Sequence, residues 1–143
     1  MKVNSELRFF LEKNKNDINA AFPNHTAVTE EVFAKVYTIL GEDYDGMSDN
    51  RVYRSLLNCL KEIINYIFEQ NLSKKYMRSI FKMLDDNKVI NCFSNNAKSR
   101  AKDIKTLLNR LVNHFTTSWQ GWDNDRNKSL KYAIDIIDYW FNI

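Results

Sequence analysis

The sequence predicts an all-α protein, an irregular bundle of five to seven helices around a single core. Two observations carry this. Apolar residues recur at i, i+3, i+4 and i+7 in each long segment, the period of a helix with one buried face. The 143 residues contain only three glycines and one proline, where average usage would give about ten and seven, and a sheet protein needs turn residues in quantity.

Taken in order, the first helix is expected over Ser5 to Ala21, with Leu7, Phe10, Leu11, Ile18 and Ala21 on one face, ended by Phe22-Pro23. The second is expected to start at Thr29 as N-cap, with Glu30 and Glu31 in the first turn, where the helix dipole favours anions. Val32, Val36, Ile39 and Leu40 face inward and Gly41 stops it. Residues 41–50 hold two glycines and four acids and read as an acidic loop between two helical parts. A long helix over 49–71 carries Val52, Leu56, Cys59, Leu60, Ile63, Ile64, Ile67 and Phe68, a face wide enough for a central helix.

Ser73 caps the next helix, whose stripe is Met77, Ile80, Phe81 and Leu84 and whose end is Asp85-Asp86-Asn87. A short apolar piece, Val89 to Phe93, bridges to a second long helix expected from Asn95 or Asn96 to about Ser118, with Ala97, Ala101, Ile104, Leu108, Leu111 and Phe115 inward. A turn over 119–124 leads to a last helix burying Leu130, Ile134, Ile137 and Phe141. The whole, 1–143, reads as one helical domain, a size that buries about two thirds of the unfolded surface.

The 44% apolar content and net charge of +3 exclude disorder. No uncharged h-region opens the chain and no apolar run reaches membrane-spanning length, so a cytoplasmic, non-membrane protein is expected. Cys59 and Cys92 sit in apolar stretches and read as buried reduced thiols.

Charge divides the chain. Residues 1–72 hold eight Lys and Arg against eleven Asp and Glu, and residues 73–143 hold thirteen against seven. Between Lys74 and Arg110, ten basic residues face three acids. At helical spacing Lys74, Arg78 and Lys82 share one face, and Lys98, Lys102 and Lys105 another. Such stripes solubilise a helix, meet an acidic protein surface, or neutralise phosphates of a nucleic acid.

Catalytic and metal signals are sparse, so no cofactor, metal site or enzymatic activity is expected. There are two histidines, His25 and His114, and no P-loop, dinucleotide fingerprint or CxxC pair. Arg110 and His114 on one helical face resemble the Arg–His signature of the HEPN helical ribonucleases, with a spacer of three residues where that family has a longer one. The resemblance implies an Arg110/His114 ribonuclease. Asp43, Asp45 and Gly46 resemble the middle of an EF-hand loop, but Val52 stands where the bidentate Glu is required. Trp119-Gln120-Gly121-Trp122-Asp123 resembles the second homology region of Bcl-2-like proteins, without the Asn-Trp-Gly-Arg element upstream. Trp119 and Trp122 otherwise close the corner between the last two helices or anchor a partner.

With catalysis set aside, the sequence points to a non-enzymatic protein-binding module, of the small inhibitor or immunity type that occludes a partner. The candidate contacts are the two basic stripes with Trp119 and Trp122, and the expected partner is a protein with an acidic surface. A nucleic-acid-binding protein using residues 74–110 is the alternative.

Overall fold

The computed structural model describes residues 3–42, 44–116 and 125–142, and all helices among them pack into one core. Seven α-helices are described: α1 Ser5–Ala21, α2 Thr26–Gly41, α3 Asp49–Glu69, α4 Lys74–Leu84, α5 Asn87–Asn96, α6 Ala101–Thr116 and α7 Arg126–Phe141. Short 3₁₀ turns, Pro23–His25 and Lys98–Arg100, precede α2 and α6. No strand occurs among the described residues.

Helix starts follow local chemistry. Asn4, Ser48, Ser73 and Asp125 each accept a hydrogen bond through the side chain from the backbone N–H three residues on, at 2.8 to 3.2 Å, which satisfies one donor that the first turn leaves unpaired. The end of α3 is equally specific. Asn71 takes the left-handed conformation (φ 59°), Asn71 N–H bonds to Phe68 O at 3.0 Å and Leu72 N–H to Ile67 O at 3.4 Å. These are the two bonds of a Schellman cap. Arg126, at the first position of α7, donates to Leu72 O (3.0 Å) and Phe68 O (3.4 Å) and lies over the Phe68 ring. The start of α7 is thereby pinned to the end of α3.

α3 is central, packing against α2 on one flank and α7 on the other, and its Val52, Leu56, Leu60, Ile63, Ile64 and Ile67 are all buried. α4 packs on α6, with Phe81 and Phe115 rings 5.3 Å apart, and α5 and α7 flank α6 on its other sides. α4 and α6 run antiparallel: Lys74 lies within electrostatic reach of His114, and Asp85 within reach of Lys105.

Five sequence expectations are corrected. α2 begins at Thr26, so Thr29 is no cap. It is fully buried, and its Oγ1 bonds to His25 O (3.0 Å) and to the Tyr76 hydroxyl (2.8 Å), joining α2 to α4. The piece Val89 to Phe93 belongs to a complete helix, α5, because Asp86 Oδ1 accepts from Lys88 N–H and starts a new helix directly after α4 ends. The second long helix starts at Ala101: the backbone leaves the helical region at Ala97 (φ −127°, ψ 62°), and Lys98–Arg100 form a 3₁₀ turn. On α7 the buried residues are Ser129, Ala133, Ile136, Ile137 and Trp140, whereas Leu130, Ile134 and Phe141 are only half-buried. That face turns toward both α3 and α6, so it is broader and rotated relative to the expected stripe. On α1, Leu7, Leu11 and Ile18 are buried as expected, while Phe10 is half-buried and Ala21 exposed.

Cys59 and Cys92 are buried and not joined in a disulfide. Burial pushes the Cys59 thiol up to about 12 and the Cys92 thiol to about 11. No helix among the described residues is long and apolar enough to cross a membrane.

Candidate functional site

The expected basic residues do not form two uniform stripes. Lys74 is half-buried beside α6, close enough to His114 for its charge to act there. Lys82, on the same helix, lines a groove toward α1 with Asp17 and Asp86. Arg78 lies between them, half-buried.

The basic residues from 98 to 105 are likewise divided, between a 3₁₀ turn and a helix. Lys98 sits on the 3₁₀ turn and the other two on the first turns of α6. All three are exposed and form no ion pair with a described residue. Arg100 between them turns inward: it pairs with Asp103 at 3.2 Å and covers the Tyr53 ring. Asp49 at the start of α3 accepts from Ser99 N–H at 3.1 Å and holds this turn in place. Lys105 faces α4 near Asp85, whose carboxyl is raised by burial, an effect the lysine opposes. The lysines thus stand over a closed layer, since Ile104, Leu107, Leu108, Leu111 and Phe115 on the opposite side of α6 are all buried.

A second feature escaped sequence reasoning. A groove of about 370 Å³ between α6 and α7 is lined by Arg110, Tyr132, Asp135, Ile136 and Tyr139. Tyr132 and Tyr139 are 56% and 58% exposed and, with Phe9 on α1, are the large apolar side chains most open to solvent among the described residues. Their spacing of seven places both on one edge of a helix, a signal present in the sequence but indistinguishable there from core. Arg110 makes no hydrogen bond or ion pair with a described residue.

His114 packs against Tyr132, one of the residues that line this groove. Its ring stacks on Tyr132 (centroids 5.8 Å apart, planes 10° apart) and meets Phe115 edge-on, with Nε2 3.3 Å from Ser129 O. Burial holds its pKa below the usual imidazole value, and the Ser129 carbonyl opposes that shift. Arg110 therefore lines the α6/α7 groove, while the His114 imidazole contacts the Ser129 carbonyl and the Tyr132 ring.

A contrasting groove of about 400 Å³ runs between α2 and α3, lined by Glu31, Lys35, Glu42, Asn58, Cys59 and Glu62 among others. Its lysine pairs with Glu31 at 3.7 Å and lies over the Tyr66 ring. No group of three or more His, Cys, Asp or Glu able to hold a metal occurs among the described residues. Trp119, Trp122 and Asp43 lie outside the described residues.

No family model, curated protein or solved structure matches the chain.

Proposed function

We propose that this protein is a non-enzymatic binding module that docks on an acidic protein surface through Lys98, Lys102 and Lys105. A compact inhibitor of the immunity type, which works by covering its partner, needs no chemistry beyond such a surface. The observation that carries the reading is the exposure of these three lysines, without ion pairs to described residues, above a core that is complete beneath them. Fields of one sign on a rigid helix raise association rates and select partners of opposite charge. Arg100, the basic residue among them with a structural task, is the one turned inward.

The test is the triple variant Lys98→Glu, Lys102→Glu, Lys105→Glu. The far-ultraviolet circular dichroism and melting midpoint stay at wild-type values, and a protein partner captured by the wild type is lost. Fluorescence titration with random-sequence RNA and DNA at about 0.05 and 0.2 M salt runs alongside. Binding to either nucleic acid that falls steeply with salt and disappears in the triple variant would replace the protein partner with a phosphate backbone. Partner binding unchanged by the triple reversal would refute the role of these lysines.

A further inference from the structure

We propose that the α6/α7 groove is the two-fold interface of a homodimer. The occupant follows from the chemistry of the groove. Its rim carries one cation, Arg110 on α6, and one anion, Asp135 on α7, on either side of an apolar strip made by Tyr132, Ile136 and Tyr139. A patch with both signs on opposite helices complements itself, which a patch of one sign cannot do. A two-fold axis running along the groove lays α6 of one copy over α7 of the other, so that Arg110 of each copy meets Asp135 of the second copy. An axis across the groove would set Arg110 against Arg110, so the charges select one of the two arrangements.

Three further observations fit this occupant. Arg110 lacks an ion pair with a described residue, so no described residue of the same chain competes for it. The pair Lys131–Asp135 does hold Asp135, at 3.7 Å with side chains 80% and 61% exposed. So solvated a pair contributes little and leaves the carboxylate available. Tyr and Arg are also the residue types that dominate interface energetics, and two exposed tyrosines on one helix edge supply them with little loss of side-chain freedom.

The size of the contact sets the affinity. α6 and α7 have 16 residues each. At 1.5 Å per residue each is about 24 Å long, and two helices side by side offer a face of roughly 500 Å² in projection. That is at the small end for a stable complex, so dissociation in the micromolar range is expected.

Sedimentation equilibrium from about 1 to 500 µM, ranges that bracket such an affinity, is the experiment. The wild type is expected to pass from monomer to dimer. Arg110→Asp alone and Asp135→Arg alone should each shift the curve at least tenfold toward monomer, and the double variant should return it to the wild-type position. Tyr139→Ser should weaken the dimer without any charge change, and circular dichroism establishes that each variant is folded. A wild type that stays monomeric throughout overturns the proposal and leaves the groove to a different protein. A dimer indifferent to both single variants, or one that the double variant does not restore, overturns it equally, because the contact would then use another face or another geometry.

Discussion

The α2/α3 and α6/α7 grooves are alike in size and differ in how their cations are engaged. In the α2/α3 groove the lysine is engaged within the chain: Lys35 holds Glu31 and covers Tyr66, and on the far flank of α3 Lys61 holds Asp138 at 2.7 Å while lying over Phe141. The apolar side chains below, Leu60, Ile63 and Ile64, are sealed. In the α6/α7 groove Tyr132 and Tyr139 are more than half exposed and Arg110 has no ion pair with a described residue. The difference teaches that two grooves of similar size differ in their cations: Lys35 is engaged within the chain, whereas Arg110 has no ion pair with a described residue.

Substitution can break this comparison, and the largest effect belongs to the closed side. Leu60→Ala should destabilise by about 2 to 5 kcal/mol, because it removes buried methylenes and leaves a cavity. Tyr139→Ala on the open side should change stability by under about 1 kcal/mol, because the ring already faces water. Urea denaturation of both variants measures the contrast, and equal costs would erase it.

A smaller effect is carried by His114, which packs against Tyr132. Burial lowers its pKa in the folded chain, so the unfolded chain binds the proton more readily. Stability from this site is therefore intact above the unfolded imidazole value of about 6.5 and falls as the pH drops below it. His114→Gln should flatten that part of the stability-versus-pH curve, and a curve unchanged by the variant would show that the ring is not held neutral. The smallest effect is expected at Lys61→Ala, which removes a pair whose side chains are 31% and 48% exposed. The cost should be at most about 1 kcal/mol and should shrink in salt. A larger loss would mean that the ion pair, and not the apolar layer, joins α3 to α7.

Much of the fold was legible because periodicity and burial coincide. The stripes of α3 and α4 match the buried residues closely, since each helix has one clearly apolar face and a serine cap. Legibility failed where one residue type serves two purposes. Thr29 followed by two glutamates has the composition of a helix start, yet its hydroxyl is spent on Tyr76, a partner 47 residues away. Asp86 looked like the end of α4 and is also the beginning of α5. The stripe through Ala97 and Ala101 continued the helical period across a backbone break that spacing alone does not register. On α7 two apolar sets lie side by side, and only the positions of α3 and α6 determine which is buried.

The candidate surfaces were legible only in part. Lys98, Lys102 and Lys105 are exposed, although a turn and a helix share them. Tyr132 and Tyr139 were missed because an aromatic residue on a helix is ordinarily core, and nothing local shows that its side of the helix remains uncovered.

The clamp between Arg126 and the end of α3 also bears on how the chain reaches this state. It joins residues 54 and 58 positions apart, and it stands at the head of the extensive contact between α3 and α7. Without α7, α3 packed on α2 would leave the flank that meets α7 in water, so the first half of the chain is expected not to fold by itself. Closing so long a loop costs entropy before any contact repays it. Docking of α7 should therefore be the slow cooperative event, after which the amides of α3 first become resistant to hydrogen exchange.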